Sequence, residues 1–211
     1  MRKIVAVALA LLFGFGLLWH GTDGFRAFTS ETARRLAILQ EPKPLPTVRL
    51  EDQNGRTFSW QDQRGQWVLA TFMYTRCGDV CPVIEMNLRR IYDAVRQSPH
   101  SDRLSFLSIS FDSQNDTPEM LMHHAHHYGA DGVTWRMARV PNDQELQRLL
   151  EVMGVIVIPD EKGGYEHNAA FYLLDEKGRL VRIFDYNHPQ AVSAELNRLL
   201  AKEASAEVVK Q

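Results

Sequence analysis

Apolar runs of strand length alternate along the chain with segments in which apolar residues recur every three or four positions. The continuous runs predict buried strands over 67–74, 104–111 and 134–140. The segments that follow them have the spacing of helices with one apolar face, and the predicted helices cover 83–97, 118–128 and 143–153. Strands that alternate with helices in this way indicate an α/β sheet whose central strands are parallel.

Two hairpins are predicted on either side of this alternating region. Asn54-Gly55 lies between residues 48–52 and 56–60, and this dipeptide is a strong signal for a tight turn between antiparallel strands. Residues 167–175 and 179–185 flank a second polar turn and predict a strand pair at the end of the domain. The sheet is therefore expected to be parallel at its centre and antiparallel at its edge.

The N-terminal segment, residues 1–23, has the pattern of an export signal. Arg2 and Lys3 precede sixteen uncharged, mostly apolar residues over 4–19. No small residues mark a cleavage site, so an uncleaved transmembrane anchor is favoured over a cleaved signal peptide. Sixteen helical residues span about 24 Å, short of a hydrocarbon core of roughly 30 Å unless the residues that follow are included. The basic start predicts a single-pass protein of a bacterial-type inner membrane with its C-terminal domain in the periplasm.

Three further segments follow this N-terminal stretch. Residues 24–46 are expected to form a short helical spacer and a stiff Pro-rich linker. Residues 47–203 contain all the predicted strands and end in a helix over 189–202. Residues 204–211 are expected to be a frayed tail.

Composition limits the classes of function. The chain has 211 residues, 45% of them hydrophobic, which is enough for one good core. Its formal net charge is −2 and its basic residues are scattered, so nucleic acid is not expected as a partner. Two cysteines cannot build a disulfide scaffold, and a lone pair of this kind indicates redox or metal chemistry.

Both cysteines, Cys77 and Cys81, lie where the first central strand turns into a helix. Free backbone N–H groups and the positive end of the helix dipole favour a thiolate at such a position. A thiol pair at this point suggests a thioredoxin-like core, although three residues separate the cysteines instead of two. This spacing permits a disulfide and also permits two thiolates to bind a soft metal such as Cu(I) or Zn(II). The spacing alone does not decide between a reactive dithiol and a metal site.

The chain also has eight histidines that could supply a third ligand. His167 is the best placed, because it begins a strand predicted to lie beside strand 67–74, but it could equally be an exposed loop histidine. His123 and His127 are four residues apart on a predicted helix, a spacing that can chelate a metal. A solvated polar face is the favoured interpretation of this second cluster, and an auxiliary copper site is the alternative hypothesis.

Three blocks of sequence, in order, resemble the SCO/SenC proteins. They are Phe72-x-Tyr74-Thr75-x-Cys77-x-Asp79-Val80-Cys81-Pro82, Ser110-x-Asp112-x-x-x-Asp116-Thr117-Pro118, and His167-Asn168-Ala169-Ala170-Phe171-Tyr172-Leu173-Leu174-Asp175-x-x-Gly178-Arg179-Leu180-Val181. The resemblance implies an α/β, thioredoxin-like fold with an extra N-terminal β-hairpin and insertions, preceded by an N-terminal transmembrane anchor. It also implies a membrane-tethered copper chaperone that delivers copper to the copper-A centre of cytochrome c oxidase subunit II.

The resemblance carries over to individual residues. Cys77, Cys81 and His167 match the copper ligands of the family, for Cu(I), Cu(II) or both. Asp79 and Asp112 match its acidic positions near the site, and each is expected to support the ligands or to help dock a partner. Asp112 could equally be a turn or helix-capping residue.

Two residues depart from the family pattern, and other functions stay open. Gly78 and Ser113 stand where proline is usual, and Gly78 should loosen the loop between the thiols. The alternatives are a thiol–disulfide oxidoreductase that reduces the cysteines of the oxidase copper site or of another thiol client, and a redox sensor. His167 separates these functions, because metal binding needs it and dithiol exchange does not.

Overall fold

The computed structural model describes residues 2–22, 24, 29–63, 65–161 and 163–208. The chain divides into two compact units, residues 1–42 and residues 43–211. The first contains α1 (Arg2–Gly21) and α2 (Ser30–Gln40). Helix α2 forms the predicted helical spacer and begins after Thr29, whose hydroxyl accepts a hydrogen bond from the Thr32 N–H at 3.1 Å.

The expected transmembrane anchor over 1–23 is not supported. Within the described part of the chain, we find no helix whose length and apolar content would let it cross a membrane. Residues 1 and 23 of that segment lie outside the described residues.

The second unit contains ten strands and four α-helices among its described residues. The strands are β1 (Lys43–Pro44), β2 (Leu50–Asp52), β3 (Thr57–Phe58), β4 (Trp67–Met73), β5 (Leu104–Ser110), β6 (Trp135–Arg139), β7 (Val157–Pro159), β8 (Tyr165–His167), β9 (Phe171–Leu174) and β10 (Arg179–Phe184). The helices are α3 (Val80–Val95), α4 (Pro118–Tyr128), α5 (Asp143–Met153) and α6 (Pro189–Val208).

Eight strands form one sheet in the order β1-β10-β9-β4-β5-β6-β2-β3. Strands β4, β5 and β6 are parallel, and the pairs on either side of them are antiparallel. The units β4–α3–β5 and β9–β10–α6 make the thioredoxin-like core, and the β2–β3 hairpin extends the sheet at one edge. The α/β prediction, the hairpin at Asn54-Gly55 and the parallel centre with antiparallel flanks are therefore confirmed.

The predicted strand over 167–175 is confirmed only over 171–174, where β9 lies beside β4, and the expectation that His167 begins this strand is wrong. Strand β8 ends at His167 and pairs with β7 in a separate two-stranded sheet, whereas β9 pairs with β4 in the main sheet. The side chain of Asn168 explains the break: its Nδ2 donates to the Gly154 carbonyl at 2.9 Å and its Oδ1 accepts from the Ile156 N–H at 2.7 Å. These bonds tie the chain to the segment before β7, so His167 reaches the site from a hairpin.

Two other segments differ from expectation. Lys43–Pro44, within the predicted linker, forms an edge strand against β10, a position where proline is tolerated because one side of an edge strand makes no ladder bonds. The final helix runs to Val208, six residues beyond the predicted end at 202. Residues 209–211 of the predicted tail lie outside the described residues.

One carboxyl group is enclosed in the core behind α3. Glu85 has 0% of its surface exposed, because it lies on the buried, mostly apolar face of α3. The Ser108 hydroxyl donates to its Oε2 at 3.1 Å and accepts from the Trp135 Nε1–H at 3.1 Å. The other oxygen, Oε1, has no hydrogen-bond partner among the described residues. Burial raises the pKa of Glu85 to about 8, so its side chain is uncharged at neutral pH.

We expect Glu85 to make the stability of the protein depend on pH. Between its ordinary pKa of 4.5 and about 8, the folded state binds a proton at Glu85 that the unfolded state does not. The free energy of unfolding should therefore fall as the pH rises, with Glu85 contributing about 3 kcal/mol of this loss between pH 5 and pH 8.

Urea unfolding of the wild type and of Glu85→Gln across this pH range tests the prediction. The amide keeps the volume of the side chain and cannot ionise, so the difference between the two proteins isolates Glu85 from other titrating groups. Parallel pH profiles for the two proteins would contradict the prediction.

Candidate metal centre

Both thiols are positioned by the junction between β4 and α3. Cys77 lies in the loop that follows β4 and is half-buried, whereas Cys81 lies in the first turn of α3 and is 1% exposed. The Cys81 N–H donates a hydrogen bond to the Cys77 sulfur at 3.4 Å, as expected for a free amide at a helix start. Both cysteines are free thiols. Cys77 is therefore the thiol that solvent or a partner reaches first.

The two thiols share one proton. A hydrogen bond from the Cys81 thiol lowers the pKa of Cys77 to about 3, and hydrogen bonds from the backbone N–H groups of Asp79 and Cys81 favour the same thiolate. The same interaction, together with burial, raises the pKa of Cys81 well above that of an ordinary thiol. The pair is a single unit that carries one negative charge at neutral pH.

His167 completes the group from the end of β8. Its Nε2 lies 3.4 Å from the Cys81 sulfur, and its Nδ1 lies 3.2 Å from the Asn168 carbonyl oxygen. A carbonyl can only accept, so this contact places the ring proton on Nδ1 and leaves the lone pair of Nε2 directed at the thiols. A histidine held in this tautomer is prepared to bind a metal.

The geometry of the three side chains suits a small, soft metal ion. The sulfurs of Cys77 and Cys81 and a ring nitrogen of His167 lie within 4.8 Å of one another, and no other His/Cys/Asp/Glu group of three this compact occurs among the described residues. Ligands about 2.0–2.3 Å from a metal are about 3.5–4 Å apart, so small side-chain shifts would close the site. Two sulfurs and an imidazole are a donor set that suits copper or zinc.

Aromatic side chains hold His167 in place. The ring of Phe111 contacts the imidazole edge-on, with 5.0 Å between the ring centroids. The ring centroid of Tyr74 lies 5.4 Å from that of Phe111 and 5.2 Å from that of Tyr165. The Tyr165 N–H also donates to the Tyr74 hydroxyl at 3.2 Å. Since Tyr74 lies just before the cysteine loop and Tyr165 lies in β8, these contacts join the two segments that carry the three side chains.

Asp112 and Asp79, the two predicted acidic positions, have different surroundings. The Asp112 side chain is 2% exposed, pairs with Arg76 at 2.8 Å and accepts from the Tyr165 hydroxyl at 3.3 Å. It therefore faces inward and connects the cysteine loop with β8. The Asp79 side chain is exposed and makes no capping hydrogen bond at the start of α3, so it is available to a partner.

Gly78, between the thiols, is exposed and has no steric reason to be glycine. A Cβ atom placed there would meet nothing within 4 Å, and its φ angle is outside the left-handed region. Steric crowding therefore does not explain why glycine replaces the usual proline here, and the expected effect of Gly78 is greater conformational freedom of the loop.

Asp116 is a supporting residue that the sequence did not single out. It is 0% exposed, and its carboxylate accepts hydrogen bonds from the Thr75 N–H at 2.9 Å and from the hydroxyls of Thr75 and Ser110, each at 2.5 Å. It therefore fixes the chain two residues before Cys77. Its position in the Asp116-Thr117-Pro118 motif is a signal in the sequence, but only the structure shows that its carboxylate binds Thr75.

The histidine cluster on α4 does not form a second group of three ligands within the described chain. His123, His126 and His127 are exposed, and His124 packs its ring against Tyr128 at 4.8 Å. Burial lowers the pKa of His124, so this imidazole is held in its neutral form. These positions favour the interpretation of a solvated polar face.

Comparison with known proteins gives one family. The family model described as SCO1/SenC matches residues 42–201. A putative copper-binding protein of Stutzerimonas stutzeri is 28% identical over 149 residues, which cover 68% of this chain and 70% of that protein.

Solved structures agree with this match. The copper-bound structure of ScoI from Bradyrhizobium japonicum is 26% identical, with a TM-score of 0.63 over 74% of this chain and 98% of that one. A SCO1/SenC family lipoprotein of Bacillus anthracis has the same fold, with 24% identity and a TM-score of 0.69 over 79% of this chain and 99% of that one. The chain therefore belongs to the SCO1/SenC family.

Proposed function

We propose that this protein binds copper through Cys77, Cys81 and His167 and delivers it to the copper-A site of cytochrome c oxidase subunit II. The observation that carries the proposal is the proximity of the three side chains, whose ligand atoms lie within 4.8 Å of one another. Membership of a family that contains a putative copper-binding protein and a copper-bound ScoI supports it. Copper is the cargo of such a protein, in the Cu(I) state, the Cu(II) state or both.

Each of the three side chains has a separate part in binding. Cys77 already carries a negative charge and is half-buried, so it meets the incoming ion first. Cys81 must then lose its proton, because a thiolate and not a thiol is the metal ligand. His167 supplies a neutral nitrogen whose orientation the Asn168 carbonyl maintains. Copper binding should therefore release one proton per ion at neutral pH.

Release of the ion depends on access from the surface. Cys77, Gly78 and Asp79 form the rim of the site, and Gly78 and Asp79 are exposed. A partner thiolate can reach copper from this side while Cys81 and His167 remain in the protein. Ligand exchange of this kind needs no large movement of the fold.

A thiol–disulfide oxidoreductase is the second candidate, and the unequal thiols favour it. The Cys77 thiolate would attack a client disulfide and release one client thiolate as a mixed disulfide forms. Cys81, after losing its proton, would attack the Cys77 sulfur and release the second client thiolate. Two electrons pass to the client, and the protein retains a Cys77–Cys81 disulfide.

We also propose that the domain works outside the cytoplasm. The basic residues Arg2 and Lys3 followed by the apolar residues 4–19 have the order of charges and apolar residues found in export signals. Copper delivery to an oxidase subunit and reduction of client disulfides both suit that compartment.

We expect His167→Ala to weaken Cu(II) binding more than Cu(I) binding. Two thiolates alone still satisfy the softer Cu(I), whereas Cu(II) needs the nitrogen, so the expected losses are about 100-fold for Cu(II) and under about tenfold for Cu(I). Titration of the reduced protein, with thiolate-to-copper absorption for Cu(II) and chelator competition for Cu(I), measures both.

The double variant His123→Ala/His127→Ala is the matched control and should still bind one equivalent of copper with wild-type affinity. If His167→Ala lowered the affinities for Cu(I) and Cu(II) by the same factor, the result would argue against the proposed ligand set. Rapid formation of a Cys77–Cys81 disulfide without retained copper, in the wild type and in His167→Ala alike, would favour the oxidoreductase.

We expect Cys77 to react with iodoacetamide at a rate that stays almost constant from pH 8 down to pH 5. Its pKa of about 3 keeps it a thiolate over that range. Cys81→Ala removes the hydrogen-bond donor, so the pKa of Cys77 should rise and the rate at pH 6 should fall about tenfold or more.

Mass spectrometry of the alkylated cysteine follows the reaction. Cys77→Ala should abolish the fast phase, since Cys81 is buried. A wild-type rate that falls tenfold per pH unit below pH 8 would show that the two thiols do not share a proton in this way.

A further inference from the structure

A groove of about 610 Å³ lies between α3 and the last turn of α4. On the α3 side it is lined by Pro82, Met86, Arg89 and Arg90, and on the α4 side by residues 126–129. None of its lining residues is acidic. The groove is separate from the three side chains of the metal centre, and neither candidate function described above uses it.

The groove begins beside the thiols. Pro82, which lines one end, directly follows Cys81 in the first turn of α3. Arg89 and Arg90 lie two turns further along the same helix, about 12–14 Å from Cys81 along the helix axis. A chain segment lying in the groove would therefore extend from the edge of the metal centre along α3.

The charge of the groove is positive in a chain whose formal net charge is −2. Arg90 donates to the Asn87 side-chain oxygen at 2.9 Å, and within the described residues it has no carboxylate partner. His126 and His127, on the α4 side, are exposed. The exposed Arg90 guanidinium provides positive charge that an acidic ligand would complement, and the two imidazoles can hydrogen-bond to the same ligand.

The wall of the groove is held in position before any ligand binds. Arg89 pairs with Asp93 at 2.8 Å, and its Nη1 donates to the Tyr128 carbonyl at 3.1 Å. This bond joins α3 to the C-terminal end of α4 and offsets the negative end of the α4 dipole. The free charge of Arg90 is therefore presented on a fixed surface.

The floor of the groove is partly apolar. Met86 is 52% exposed and lies one turn after Pro82 on α3, and Tyr128 faces it from α4. An exposed methionine beside a proline and a tyrosine offers contacts to apolar side chains next to the charged end. The surface thus suits a peptide segment better than a small inorganic anion.

We propose that this groove docks an acidic segment of the protein that accepts the copper. The proposal rests on the proposed function, because it takes the partner to be the copper acceptor whose thiols approach Cys77. Docking along α3 would position the acceptor with its metal-binding residues at the exposed rim of the site. Positive charge near such a rim increases the rate of encounter more than the final affinity.

Fluorescence anisotropy of a labelled twelve-residue peptide of Glu and Gly, added to the full-length, reduced, metal-free protein, tests the groove. Arg90→Glu should weaken binding at least about fivefold at low salt, and binding should weaken as salt shortens the Debye length below roughly 10 Å. Arg148→Glu is the control, because it makes the same charge change at an exposed position of α5. It should change the affinity less than about twofold.

Equal losses of peptide affinity in Arg90→Glu and Arg148→Glu would overturn the proposal. It would also be overturned if the wild type did not bind the Glu/Gly peptide, or bound a Lys/Gly peptide equally well. Arg90→Gln, which keeps a polar side chain near Asn87, should lie between the wild type and Arg90→Glu and guards against misfolding of the reversed variant.

A second measurement separates this proposal from the proposed function. Arg90→Glu should bind copper like the wild type but should transfer it at least about threefold more slowly to the purified copper-A domain of a bacterial cytochrome c oxidase subunit II. Transfer at the wild-type rate would overturn docking in the groove and leave the chaperone function intact. A wild type that binds no copper would overturn the chaperone function, while the peptide experiment would still report on the groove.

Discussion

Two buried carboxylates hold the loop that carries Cys77, and the candidate metal centre depends on them. Asp116 binds the backbone and side chain of Thr75, and Asp112 pairs with Arg76. Asp112 also reaches Tyr165 in β8. The loop before the thiols and the hairpin that carries His167 are therefore fixed to the same short segment after β5. Without these contacts, the exposed loop that contains Gly78 would not hold the Cys77 thiol near the imidazole of His167.

The charge at the site follows from this arrangement. Cys77 can remain a thiolate because Cys81, on the first turn of α3, directs its proton toward it. The pKa of Cys81 is raised, because a negative charge on this buried sulfur would be poorly solvated. Cys77 is thus ready to react with an ion or a client, and Cys81 stays protonated until a later step. This asymmetry serves metal binding and disulfide exchange equally well, so the nitrogen of His167 is what favours a metal function.

Helix α3 connects the separate chemical features of the protein. Its first turn contains Cys81, its buried face contains Glu85, and its exposed face supplies Arg90 to the groove beside α4. Glu85 lies one turn after Cys81, and burial raises its pKa enough to keep it uncharged at neutral pH. The hydrogen bond from Arg89 Nη1 to the Tyr128 carbonyl fixes α3 to the end of α4.

The sequence by itself determined the features that depend on local pattern. The order of strands and helices follows from apolar periodicity, and the junction at Cys77 and Cys81 follows from the change from a strand pattern to a helix pattern around these residues. The caps at Thr29, Thr117 and Asn142 are also short-range features. All of these need contacts only between residues close together in the chain.

Tertiary structure decided the features that depend on distant contacts. His167 was expected to begin a strand, but its contact with Cys81 spans 86 residues and depends on a hairpin that Asn168 turns away from the main sheet. Asp112 could have faced solvent, and the position of Glu85 on the apolar face of α3 did not reveal which groups would surround its carboxyl. Their surroundings depend on how β5, β6 and β8 pack around them, and periodicity within a single segment does not determine that packing.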